Sequence, residues 1–166
     1  MPKNINEISK RAQIKRMIRN PYLISEIDNP SKAVQLAAVR HNGYAIQFIK
    51  DPSEAVQLAA VRENARTLQY IHAPSEAVQL AAVQNDGYTI RHVEDPSEIM
   101  QLIAVRNWGG AIQYIGKPSQ KTVIVAVLNI IYGQSENWKL HARDQLERFK
   151  DEQWPELDII RQYLKS

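Results

Sequence analysis

The chain has 166 residues, is 44% hydrophobic and 23% charged, and carries a net charge of +3, which suits one ordinary soluble domain. It has no cysteine, which excludes disulfides and thiolate metal sites. No apolar run approaches the ~20 residues of a membrane span, and the first twenty residues lack the apolar core of a secretory signal, so a soluble cytoplasmic protein is the expectation.

Charge is unevenly spread. Residues 1–29 hold six Lys or Arg against three acids, whereas residues 74–95 hold Arg91 against Glu76, Asp86, Glu94 and Asp95. A uniformly basic stripe, the usual footprint of a nucleic-acid binder, is absent.

Pro30, Pro52, Pro74, Pro96 and Pro118 stand 22 residues apart without insertion or deletion, the mark of a tandem-repeat architecture. Residues 8–29 read as a degenerate first copy. Lys15 and Arg16 stand where later copies have alanine, as a terminal cap with one wet face requires. Its cations Lys10, Arg11, Lys15, Arg16 and Arg19 are read as that solvated face; the alternative is an anion or nucleic-acid contact.

Four close copies follow over residues 30–117. In Asp51-Pro52-Ser53-Glu54, Asp51 is expected as N-cap, Pro52 at the first helical position and Glu54 closing a capping box. A helix of ten to twelve residues follows. It is expected to end at Gly43, Gly87 or Gly109 in the left-handed C-cap conformation, with Ala65 as the exception. Ala55, Val56, Leu58, Ala59, Ala60 and Val61 cover most of the helix circumference, which predicts neighbours on both sides. The second segment, Tyr44 to Ile49 in the copy that begins at Pro30, suits a turn or two of α- or 3-10 helix. Single units cannot bury such helices alone, so the expected fold is all-α, a superhelical solenoid of about six units forming one domain over 1–166.

These units resemble short α-solenoid repeats of the HEAT-like and leucine-rich-variant kinds. The phrases Leu36–Ile49 (LAAVRHNGYAIQFI) and Leu80–Val93 (LAAVQNDGYTIRHV) also resemble the AAVxxNGxAL units of an uncharacterised repeat family of bacteria, large viruses and bacteriophages. That resemblance spans roughly residues 8–134. It implies architecture and supplies no catalytic residues.

The fifth copy, 118–134, departs. Its helix reads Thr122-Val123-Ile124-Val125-Ala126-Val127-Leu128, apolar where other copies carry glutamine, and must be covered. The expected cover is a C-terminal cap over 135–166, with helices at 135–152 and 155–165. Ser135 would cap the first, and Trp138, Ala142, Leu146 and Phe149 would make one stripe. The alternative for that stripe is a homodimer interface.

Chemistry is sparse. His41, His72, His92 and His141 share no metal-ligand spacing, and no nucleophile elbow, P-loop or dinucleotide fingerprint occurs. Neither enzyme activity nor a cofactor is expected. His92 takes the place of Phe48, Tyr70 and Tyr114, positions read as core. Stacking should align rows: Gln13, Gln35, Gln57, Gln79 and Gln101; Arg40, Arg62, Gln84 and Arg106; Gln47, Gln69, Arg91 and Gln113. The glutamines are read as structural. The arginines face helix C-terminal dipoles or present a row of donors. The arginine row and the positions that differ between copies carry the candidate partner-binding residues: Arg40, Arg62, Arg66, Gln84, Asp86, Arg106 and Trp108. A protein partner is the leading expectation, for an adaptor or inhibitor acting on a host or defence protein, as the phage-like repeats suggest. Nucleic-acid binding through the basic first copy and the arginine row is the second. A DNA-repair enzyme of the HEAT-like type, using Trp108 and Asp86, is the third.

Overall fold

The computed structural model describes residues 4–133, 138–150, 152 and 155–165; for residues 138, 139, 141 and 163–165 it describes the backbone alone. Among them there is no strand. Five ten-residue helices, α1 (Lys10–Arg19), α2 (Lys32–His41), α3 (Glu54–Glu63), α4 (Glu76–Asn85) and α5 (Glu98–Asn107), alternate with five 3-10 helices. These are η1 (Pro21–Glu26), η2 (Gly43–Phe48), η3 (Ala65–Tyr70), η4 (Gly87–His92) and η5 (Gly109–Tyr114). Then come α6 (Gln120–Tyr132), α7 (Trp138–Glu147) and α8 (Pro155–Lys165). The architecture is an α-solenoid, and it falls into two compact units, Met1–Asn85 and Asp86–Ser166.

In the first unit α1, α2, α3 and α4 pack in chain order, and η1, η2 and η3 each rest on the following helix. In the second unit η4 rests on α5 and η5 on α6, while α5, α6, α7 and α8 pack in sequence. The core repeats with the sequence. Within α3, Val56, Ala60 and Val61 are completely buried, and η3, which packs on α3, buries Thr67 and Leu68, with Ile71 just after it. Burying each valine contributes about 1.5–3 kcal/mol. Thr67 needs no partner elsewhere, because its hydroxyl donates to the Asn64 carbonyl at 2.8 Å.

The helix starts differ from the expected capping box. Ser53, not Asp51, is the N-cap of α3, and Glu54 is the first helical residue. Asp51 lies two residues upstream in the left-handed region at φ 48°, as do Asn29 (51°) and Ala73 (46°). The Pro52 carbonyl accepts a bond from Gln57 Nε2 at 2.9 Å, which ties the proline to the helix from outside it. Gln35, Gln79 and Gln101 repeat that bond to Pro30, Pro74 and Pro96, so this glutamine row is structural. Glu54 accepts from the Ser75 hydroxyl of the next copy at 2.5 Å, and Glu98 from Ser119 at 2.9 Å. The glutamates thus join copies instead of capping their own helices.

The glycines also differ in role, for none has a positive φ. Helices α2, α3 and α5 have Asn42, Asn64 and Trp108 as C-caps, α4 ends at Asn85, and Gly43, Gly87 and Gly109 open the 3-10 helices that follow. A Cβ on Gly43 would stand 2.7 Å from the Ala60 carbonyl oxygen, and one on Gly87 would stand 2.6 Å from that of Ala104. Glycine is required by close approach to the next helix. The residue twelfth in each copy completes the joint. Glu63 accepts from the Gly43 N–H. Asn85 Nδ2 donates to the Val61 and Arg62 carbonyls at 2.9 and 3.1 Å. Asn129 donates to the Arg106 carbonyl at 2.9 Å and accepts from the Gly109 N–H at 3.1 Å.

At the C-terminal end α6 is covered in part: Leu128 and Tyr132 are exposed and Ile124 and Val125 half-buried. Val123, which replaces the glutamine, is completely buried, and α7 packs on α6. Helix α7 covers 138–147 of the expected 135–152. Ala142 and Leu146 are buried and Phe149 is half-buried, so this stripe turns toward the interior of the second unit. The expected cap Ser135 and the side chains of Trp138 and Leu164 lie outside the described residues.

Candidate functional site

The first helix of each copy has two apolar stripes. The inner one, exemplified by Val56, Ala60 and Val61, makes the core. The outer one falls at Ala55, Leu58, Ala59 and Arg62, spaced i, i+3, i+4, i+7, and is half-buried or exposed. Helix α3 has α2 on one side and α4 on the other, as its wide apolar surface predicts, and the outer stripe is the part of that surface left partly open. Leu36 and Arg40 of α2 meet Ala55, Leu58, Ala59, Arg62 and Glu63 of α3 in one groove of about 560 Å³. The alanines at 55 and 59 are what leave the groove open. Helix α2 carries Ala33, Leu36, Ala37 and Arg40 at the same positions, and α4 carries Ala77, Leu80, Ala81 and Gln84.

Arg40 and Arg62 are exposed in the last turn of their helices, and neither pairs with a carboxylate among the described residues. Their forks are available as donors at the groove edge. Arg106 holds the same position on α5 in the second unit and is likewise exposed. On α1, Lys10, Arg11, Lys15 and Arg19 are exposed and Arg16 is half-buried.

The other candidates have local roles. Asp86 Oδ1 accepts from the Tyr88 N–H at 3.0 Å and so caps η4, as Asn42 and Asn64 cap η2 and η3. Arg66 is exposed on η3, its N–H donating to Asn64 Oδ1. Gln84 is exposed on α4. Trp108 is 40% exposed. Its ring centre lies 5.6 Å from Tyr88 and 6.2 Å from Tyr114, and it makes no cap bond. It also forms one wall of a cleft in the second unit, opposite Gln113, Asn129, Asp144 and Gln145.

The positions of Phe48, Tyr70 and His92 are not core: Phe48 is 44% and Tyr70 45% exposed. Phe48, Tyr70 and Tyr114 of this row each lean on the tyrosine of the preceding copy. Tyr22 meets Phe48 at 5.9 Å, Tyr44 meets Tyr70 at 6.0 Å, and Tyr88 meets Tyr114 at 5.4 Å, all close to edge-on. The 3-10 segment is too short to bury both aromatic positions, so they shelter one another. Arg91 lies over Tyr88 and Tyr114 at 5.0 and 5.5 Å and donates to the Tyr88 hydroxyl. The hydrogen bond with Tyr88 raises the Tyr114 phenol above its ordinary range, with desolvation adding to it. His92, exposed on the same segment, is lowered by partial desolvation and then by the Arg91 charge.

Sequence reasoning missed the groove and the paired aromatics. The i, i+3, i+4, i+7 spacing of Ala55, Leu58, Ala59 and Arg62 was the available signal for the first. For the second it was the aromatics recurring four residues apart. Among the described residues no three His, Asp or Glu side chains gather as a metal site, and no helix is long and apolar enough to cross a membrane. Compared with known proteins, the chain matches no family model, no curated protein and no solved structure.

Proposed function

We propose that this chain is a non-enzymatic protein-binding solenoid, an adaptor or inhibitor, which takes a segment of a partner along the outer stripe of its helices. One observation carries the reading: Leu36, Ala55, Leu58 and Ala59 stay open to solvent in a groove edged by Arg40 and Arg62. An apolar centre with an arginine rim is the composition of a recognition surface. The likeness of its phrases to repeats of phages and large viruses is what directs attention to host or defence proteins as partners. The test is selection from a random-peptide display library against the full chain, followed by binding of the enriched peptides to Leu58→Glu. Enrichment, with binding lost in the variant and its circular dichroism unchanged, supports the reading. No enrichment over an unrelated protein, or binding indifferent to Leu58→Glu, overturns it.

A second reading, nucleic-acid binding, has its own observation: Lys10, Arg11, Lys15 and Arg19 are exposed on α1 without a carboxylate partner among the described residues. It requires a gel shift of duplex DNA or RNA that weakens steeply with salt, and an unshifted probe at low salt removes it.

A further inference from the structure

We infer that the segment taken by the first unit is acidic with apolar anchors, and that it crosses α3, α2 and α1 in turn; this rests on the protein-binding reading above. The sequence presents the basic first copy and the arginine row as separate features. The fold puts them in one register. Arg11, Ile14 and Lys15 of α1 occupy the positions that in α2 and α3 belong to Ala33, Leu36 and Ala37 and to Ala55, Leu58 and Ala59, and α1 packs directly on α2. Ile14, Leu36 and Leu58 are half-buried, whereas Arg11, Lys15, Arg40 and Arg62 are exposed and pair with no carboxylate among the described residues.

Four unpaired cations flanking an apolar row select a ligand that carries both properties. A phosphate backbone meets only the first. It offers nothing to cover Leu36 and Leu58. An acidic peptide covers the leucines with its own apolar side chains and places carboxylates on the guanidinium forks. Its spacing also follows. Adjacent packed helices lie ~8–10 Å apart, and an extended segment rises ~3.1 Å per residue in the polyproline range. Side chains three residues apart therefore reach successive helices. The fourth helix of the first unit, α4, carries Ala77, Leu80, Ala81 and Gln84 and adds no cation, so the four cations fall on α1, α2 and α3. In the second unit the matching positions read Ile99, Leu102, Ile103 and Arg106, then Lys121, Ile124, Val125 and Leu128, two cations on two helices.

The same display selection tests this, read for composition and against charge variants. Enriched peptides should be net acidic with interspersed Leu, Ile or Phe. They should lose on the order of tenfold in affinity against Arg62→Glu and against the pair Arg11→Glu/Lys15→Glu, and weaken with added salt. Arg62→Lys should recover part of the loss, and Arg106→Glu should change little. Neutral or basic peptides, or peptides indifferent to Arg11→Glu/Lys15→Glu, overturn this inference and leave the protein-binding reading standing. Failure of any peptide to enrich removes both. A random-sequence DNA duplex that binds tighter than the enriched peptides, with the same sensitivity to Arg11→Glu/Lys15→Glu, overturns it in favour of nucleic acid.

Discussion

Replacing Gly87 by alanine isolates what the glycines do. Gly87 opens η4 with a negative φ, so alanine meets no backbone penalty there. If conformation were the whole matter, Gly87→Ala would stabilise the chain by about 0.4–1 kcal/mol, because alanine restricts the unfolded state. The packing says otherwise. The new Cβ would lie 2.6 Å from the Ala104 carbonyl oxygen, 3.1 Å from Asn107 Cβ and 3.2 Å from Ala104 Cα. Two of these are backbone atoms of α5, and to reach ordinary contact at 3.4 Å the helix must recede by about 0.8 Å. Overpacking of this kind costs about 1–3 kcal/mol. Set against the unfolded-state gain, the net is a loss of roughly 0.5–2 kcal/mol. Urea denaturation of wild type and variant, with equal m-values, measures it. A variant as stable as wild type or more so refutes the close-approach argument. Ala65 is the natural comparison: it is buried at the same position of the second copy, opposite Asn85, whose amide is held by the Val61 and Arg62 carbonyls and not by the residue-65 N–H.

Ala73→Asn should stabilise by about 0.5–1 kcal/mol, since Ala73 holds a left-handed φ of 46° that asparagine tolerates better; thermal denaturation decides the sign. Gly110→Ala should destabilise, because its Cβ would stand 2.5 Å from Trp108 Cζ2, and adding Trp108→Asn should recover the loss, a coupling that a double-mutant cycle reads directly. His92 has a lowered pKa in the fold, so the unfolded chain takes up its proton first as pH falls. Its contribution is therefore present above the unfolded value of about 6.5 and is lost as pH falls through the lower folded value. Urea midpoints between about pH 7 and pH 5 should drop less in His92→Gln than in wild type.

Much of the fold was legible in the 22-residue period. It located α1 to α6 and the short segment after each of the first five, because stacking imposes the same burial on the same residues of each copy; α7 and α8 lie past the period and were legible from an apolar stripe and Pro155. What was not legible depends on where neighbouring copies touch. Glu54 suits a capping box by local rules, but its carboxylate reaches Ser75 in the next copy. Gly43 suits a left-handed C-cap, but its constraint is the Ala60 carbonyl seventeen positions on. Local signals name the residue type and leave its partner open. The site was half legible for the same reason. Arg40 and Arg62 form a row by arithmetic, and they do share a groove. The groove itself was hidden, because the wide apolar surface of the helix was read as contact with its neighbours, whereas Ala55 is exposed and Leu58 and Ala59 are half-buried.

The fourth copy shows how a departure from the repeat is to be weighed. Trp108 replaces the Asn or Asp that caps the 3-10 helix in three earlier copies, and it gives up that bond. Gly110 replaces Tyr44, Arg66 or Tyr88 and gives up a side chain. The indole lies directly over Gly110, where any Cβ would meet it, and it reaches Tyr88 and Tyr114. The two substitutions thus exchange a cap and a ring at one position for a larger ring at another, and aromatic contact is kept. A divergent tryptophan that is explained by a divergent glycine two residues away does not need a partner to account for it. Arg40 and Arg62 are the reverse case. They recur in two adjacent copies at the mouth of a groove, no described carboxylate answers them, and inside the fold their charge faces only the last turn of its own helix. The case for binding therefore rests on these repeated, unanswered cations more than on the residues that differ between copies.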